Sequence, residues 1–138
     1  MAENLTQLIQ DAENGDSAAQ NQLGAHYDQQ RDLDEAIKWF RQADAQGLMI
    51  STHNLACKLY EKGEIVEGRK LFEKAAKADY PASLYYMGVI FERENDVRGI
   101  SCYVKAAHLG NSSALEALQD MGIESMLTTT PVSSPIYW

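Results

Sequence analysis

The chain repeats itself at a fixed period, and that period constrains its fold more than any other feature. Leu23-Gly24, Leu55-Ala56 and Met87-Gly88 recur at one constant offset. Four positions after the first residue of each pair comes a large side chain: Tyr27, Leu59 and Phe91. A small residue follows at Ala36, Gly68 and Gly99, each with an aromatic four positions on, at Phe40, Phe72 and Tyr103. Ala43, Ala75-Ala76 and Ala106-Ala107 come next, and Gly47, Asp79 and Gly110 mark the unit ends. A fourth, incomplete copy begins with Ala114 and Leu118, the latter one position short of a full repeat beyond Met87. Residues 3–14 (Leu5, Leu8, Ile9, Ala12), closed by Gly15, match the second half of a preceding unit. A fixed period of about 32 residues signals one supersecondary unit stacked on copies of itself.

Each unit reads as two antiparallel helices. Leu23, Gly24 and Tyr27 form one helical stripe, and Ala36, Phe40 and Ala43 form the second. Asp32 followed by Glu35 predicts a capping-box start for the second helix, and Asp96 predicts the cap of its counterpart in the third unit. Pro81 suits a first helical turn, while Gly47 and Gly110 are placed to end helices. Gly or Ala at a helix crossing lets two backbones approach, with the facing aromatic filling the space beside it. One pair cannot bury both of its stripes, whereas stacked pairs can. The predicted fold is therefore all-α: a short right-handed α-solenoid of stacked antiparallel helix pairs. Residues 1–16 form a lead helix, and units follow at about 17–48, 49–80, 81–110 and, in part, 111–122. Residues 123–138 form a flexible or capping tail. There Thr128 to Pro135 is rich in hydroxyls and proline, and Ile136-Tyr137-Trp138 either folds back on the last helix or docks on a partner.

Composition bounds the function. With 138 residues and 45% apolar content, the chain is neither disordered nor fibrous. Its formal charge is −8, which disfavours nucleic acid and anionic membrane as primary partners. The excess is local: residues 1–36 carry eight acids against Arg31, giving −7, while residues 37–110 sum to +2 and residues 111–138 to −3. Met1-Ala2-Glu3-Asn4 has no basic start or apolar stretch of a signal peptide, and no apolar run is long enough to span a bilayer. Cys57 and Cys102 are too few for a disulfide scaffold and both occupy packing positions, so a reducing, cytoplasmic setting is expected.

The run Ala19-x-x-x-Leu23-Gly24-x-x-Tyr27, then Ala36-x-x-Trp39-Phe40-x-x-Ala43-x-x-x-Gly47, resembles the Sel-one-like repeat, a relative of the tetratricopeptide repeat. The resemblance covers residues 17–121. It departs in the turn between helices, where the step from Leu23 to Ala36 keeps the shorter tetratricopeptide spacing. It also lacks two cysteines in any one unit, so the family's common Cys-linked helix pairs are not expected. The resemblance implies that the first helix of each pair lines a concave face. It places Asn21, Ala25 and Asp28 there in the first unit, and His53, Cys57 and Tyr60 in the second. The third unit contributes Tyr85, Val89 and Glu92, and the fourth Glu116 and Asp120. Two tyrosines and a histidine among carboxylates suit a peptide or partner helix with some basic character. Alternatively, Tyr60 and Tyr85 cover the core between stacked units.

Catalytic signatures are missing from the sequence: it has no phosphate-binding loop, no CxxC and no HExxH. His26, His53 and His108 share no ligand spacing. Glu92, Glu94 and Asp96 lie with Arg93 and Arg98 around an inter-helix turn, where capping and solubility account for them. No catalytic residue, cofactor or metal is therefore predicted. The favoured reading is a non-enzymatic scaffold or adaptor of bacterial type that binds a protein or peptide on its concave face. One alternative is an immunity or antitoxin-like protein that neutralises a basic toxin, with the acidic end steering association. An enzyme is the remaining alternative and would need a buried ionisable cluster.

Overall fold

The computed structural model describes residues 2–138, and among these residues there are nine helices and no strand. The helices are α1 (Ala2–Glu13), α2 (Ser17–Gln29), α3 (Leu33–Ala45), α4 (Met49–Lys62), α5 (Ile65–Lys77), α6 (Pro81–Arg93), α7 (Arg98–His108), α8 (Ser112–Asp120) and α9 (Met126–Thr129). The all-α reading holds, and the short connections make neighbouring helices antiparallel. Met1, the first residue of the expected lead segment, lies outside the described residues. The four-residue α9 falls in the tail, where a run of threonines gave no helical signal. Its threonines instead donate through their hydroxyls to the Ser125 carbonyl.

The period of the sequence is written into the backbone. Between pairs, positive φ recurs at Gly15, Gly47, Asp79 and Gly110, and within pairs at Arg31, Gly63 and Asn95. Each of these residues turns the chain in the left-handed region just past a helix, where the next amides bond back to the last carbonyls. Asp79 adopts this conformation at φ +61° without being glycine, as aspartate tolerates better than most residues. The caps follow the same rhythm. Asp32 accepts the Glu35 amide at 3.2 Å, Asp16 that of Ala19 at 3.0 Å, and Asn111 that of Ala114 at 2.8 Å. Pro81 opens α6. Asp96 sits one residue before the N-cap Val97, accepting the Arg98 amide at 2.9 Å.

The chain divides into two compact units, the first ending at Leu71 and the second running from Phe72 to Trp138. In the first, Leu5, Leu8 and Ile9 of α1 pack against a buried cluster of Ala12, Ala19, Leu23 and Trp39. A second cluster joins Ala36, Ile37 and Phe40 of α3 to Leu55 and Leu59 of α4, with Leu33 and Leu71 against it. In the second unit, Leu84, Met87 and Phe91 of α6, Tyr103 and Val104 of α7, and Leu118 of α8 are all buried. The tail lies along this unit. His108 donates through Nε2 to the Leu127 carbonyl at 2.8 Å, and Arg98 donates to the Tyr137 carbonyl at 3.2 Å. The Trp138 ring lies 6.1 Å from that of Phe91.

Close approach within pairs depends on glycine facing an aromatic ring. A Cβ added at Gly24 would come within 2.6 Å of the Phe40 ring, and one at Gly88 within 2.6 Å of the Tyr103 ring. The ring thus occupies the space that a side chain would need. Alanine is the better helix former by about 1 kcal/mol, yet overpacking a filled core costs about 1–3 kcal/mol. Gly24→Ala is therefore expected to lower stability by up to about 2 kcal/mol in urea denaturation, despite its gain in helix propensity.

Candidate protein-interaction surface

The first helices of the pairs carry the residues that the resemblance assigned to a concave face. In the first unit these residues meet partners of their own chain. Asn21 on α2 accepts through Oδ1 from the Ser51 hydroxyl at 2.8 Å and from the Asn54 amide at 3.1 Å, both on α4. Asp28 accepts from Lys58 at 2.7 Å, and the same ammonium reaches Glu61 at 2.7 Å. Only 16% of the Lys58 side chain is exposed, so two carboxylates share a largely buried cation. Lys62 pairs with Asp34 at 3.1 Å. Part of the negative charge counted for residues 1–36 is thus compensated by lysines of the following repeat, which a running charge sum does not reveal.

His53 is 8% exposed, with its Nε2 3.6 Å from the Cys57 sulfur. Burial pushes the imidazole down to about 4 from its ordinary 6.5 and pushes the Cys57 thiol up to about 11. The pair is therefore a neutral ring beside a protonated thiol, the reverse of an activated nucleophile. Cys102 is fully buried, and burial likewise pushes its thiol up to about 12. Tyr60 is half-buried on α4 with its ring against Gly68 of α5, where an added Cβ would lie 2.5 Å from it. It covers the backbone of its own pair.

In the second unit the assigned residues converge on a cleft. Tyr85, Val89, Glu92 and Arg93 of α6, Tyr103 of α7, Ala117 and Asp120 of α8, and Met121 enclose about 550 Å³. Tyr103 is the floor. Its ring is buried against Gly88, with that of Tyr85 tilted beside it at 5.8 Å, and its hydroxyl donates to Glu92. Burial and the Glu92 carboxylate hold that hydroxyl well above the usual tyrosine range, so it stays a donor. The bond fixes Glu92 at the rim, where Asp120 supplies a second carboxylate. Glu116, also on α8, is exposed and does not line the cleft. Sequence reasoning missed Tyr103, Ala117, Met121 and Arg93 as lining residues. Tyr103 was read as core, which its ring is.

The turn cluster is structural: Arg98 grips Asp96 through Nε and Nη2, at 3.0 and 2.6 Å from Oδ2, and lies 4.3 Å over the Phe91 ring. Among the described residues, no group of three or more His, Cys, Asp or Glu could hold a metal ion. No helix among them is long and apolar enough to cross a membrane.

Stacked helix pairs with a cleft lined by tyrosines, small and aliphatic residues and carboxylates define a helical-repeat protein. The comparisons with known proteins agree. A family model described as Sel1 repeat matches residues 17–48, 50–80 and 82–111. The chain belongs to the Sel1 repeat family. It is similar to a Sel1 repeat protein from Oxalobacter formigenes of known crystal structure, at 31% identity and a TM-score of 0.68. That likeness covers 85% of this chain and 98% of the other. A comparison with curated proteins finds no match. Sel1 repeats are in general protein–protein interaction modules, and the family is typically a non-enzymatic scaffold.

The buried His53 gives stability a pH dependence whose sign is fixed. The folded state resists protonation down to about pH 4, whereas the unfolded ring accepts a proton near 6.5. Stability is therefore whole above pH 6.5 and declines from there toward pH 4, by at most about 1.4 kcal/mol per pH unit from this group. Urea denaturation across that range is expected to show a shallower decline in His53→Gln than in the parent chain.

Proposed function

We propose that this chain is a non-enzymatic adaptor that holds a segment of a partner protein in the cleft of its second unit. The convergence of Tyr85, Val89, Ala117 and Met121 under the Glu92 and Asp120 carboxylates carries this reading. The apolar wall accepts a large hydrophobic side chain, and the two carboxylates suit a neighbouring Lys or Arg of the same segment. A tyrosine at such a surface offers apolar area and a hydroxyl at low entropic cost. Asn21, Asp28, His53 and Tyr60 extend the surface only where a partner competes with their internal contacts. A reducing cytoplasm suits the isolated thiols Cys57 and Cys102. The toxin-neutralising alternative draws on the acidic stretch 1–36, where Asp28 and Asp34 already pair with Lys58 and Lys62. Less charge is then left there for steering.

A display library of random peptides, selected on the immobilised full chain, tests the adaptor reading. Enriched peptides are expected to place an aromatic or aliphatic residue next to Lys or Arg. Tyr85→Ala is expected to weaken the best of them about tenfold or more, a loss of roughly 1.4 kcal/mol or above. Asp120→Lys should weaken them further, with a loss that shrinks as salt is raised. Peptides that bind the Tyr85→Ala, Asp120→Lys double variant as tightly as the parent would remove the cleft from the account.

A further inference from the structure

The register of the repeat identifies an unfilled seat at the end of the second unit. Helix α8 has 9 residues where α4 has 14 and α6 has 13. Leu118 corresponds to Leu55 and Met87 and is buried as they are. The next core position, held by Leu59 in α4 and Phe91 in α6, falls on Gly122, which turns the chain at φ +69°. In the first unit, Leu59 sits in one buried cluster with Ala36, Ile37 and Phe40 of α3, and Leu33 packs against them. The counterparts of Ala36, Ile37 and Phe40 on the second unit's α7 are Gly99, Ile100 and Tyr103, and Val97, one position out of that register from Leu33, precedes them. With Met121, these four line an open, largely apolar hollow of about 250 Å³. Val97 is 80% exposed there, whereas Leu33 is partly buried.

Charge follows the same register. Glu92 on the rim of the hollow stands two full repeats beyond Asp28. Asp28 receives the Lys58 ammonium at 2.7 Å from the following first helix, one position before the apolar knob Leu59. The counterpart of Lys58 after α7 is Met121, and Glu92 is met by the Tyr103 hydroxyl rather than by a lysine. The hollow therefore keeps both halves of the seat that α3 and Asp28 offer α4: an apolar socket and an adjacent carboxylate.

We propose that this hollow docks the last turn of a partner protein's helix bearing a large aliphatic or aromatic residue directly after a Lys or Arg. Such a helix would reproduce the fit of Lys58-Leu59 on the first unit. The proposal does not depend on the cleft: Val97 and Ile100 line only the hollow, and Tyr85 and Asp120 only the cleft.

A helix-stapled peptide with the sequence of residues 49–62 is the probe, added to the isotopically labelled full chain and followed by NMR. Amide shifts are expected to centre on Val97, Ile100 and Met121. Affinity should fall about tenfold or more when the peptide carries Leu59→Ala, and should fall with Lys58→Glu. Val97→Lys in the chain should weaken binding to a similar degree, and Val97 is exposed enough for the fold to survive the change. Tyr85→Ala should leave this binding unchanged while reducing peptide capture by the cleft. Unchanged affinity for Val97→Lys would overturn the proposal, as would shifts confined to α3 or to the cleft, or none at all. Concentration-dependent shifts at Val97 and Ile100 without peptide would overturn it too, by assigning the hollow to a second copy of the chain.

Discussion

Tyr103 packed against Gly88 is the contact from which the second unit is built. The glycine removes the side chain that would hold α6 and α7 apart, and the ring fills the space between them. Gly99 extends the approach on the other helix, where an added Cβ would lie 3.0 Å from the Gly88 carbonyl. Phe40 on Gly24 repeats the arrangement in the first unit, and Tyr60 against Gly68 inverts it, the ring coming from the first helix of the pair. Interiors packed this closely tolerate neither an added methyl nor a lost ring without cost. The third repeat differs from the first in one respect that bears on function. Its ring is a tyrosine, whose hydroxyl emerges at the cleft and anchors Glu92. One residue thus joins the packing of the pair to the chemistry of its surface.

Polar contacts sort the two units into different roles. Along α2 and α4 the side chains of Asn21, Asp28, Ser51, Asn54 and Lys58 satisfy one another. Such contacts fix the register of adjacent first helices, and each exposed pair adds only a small increment of stability. Along α6 and α8 the counterparts of Asn21, Asp28, Asn54 and Lys58 are Tyr85, Glu92, Ala117 and Met121, which line a cleft rather than a closed seam. The early stop of α8 before Gly122 opens the adjoining hollow, which shares Tyr103 and Glu92 with the cleft. Both openings follow from departures from the repeat: a polar ladder replaced by apolar residues, and a helix one turn short.

The fold was largely legible in the sequence because its determinants are local and periodic. Leu23, Leu55 and Met87 announce the first helices, Asp32 caps the second, and Gly47 and Gly110 end it. The positive φ of Arg31, Asp79 and Asn95 was not legible residue by residue, since none is glycine; only their place in the period marks them. The site was legible in part. Tyr85 and Glu92 could be placed on one helix face by spacing alone. The burial of His53 and the pairing of Asp28 with Lys58 depend on how successive helices pack, and spacing within one helix carries no information about that. Helix α9 and the return of Trp138 to Phe91 rest on tertiary contacts in a stretch with no periodic pattern.

A double-mutant cycle on Gly88 and Tyr103 tests most directly whether the ring-on-glycine contact organises the second unit. Gly88→Ala should destabilise the parent chain by up to about 2 kcal/mol, the overpacking cost less the gain in helix propensity. In the Tyr103→Ala background, where the ring no longer opposes the new methyl, the same change should become neutral or stabilising through helix propensity. An equal cost of Gly88→Ala in both backgrounds, measured by urea denaturation, would contradict the account.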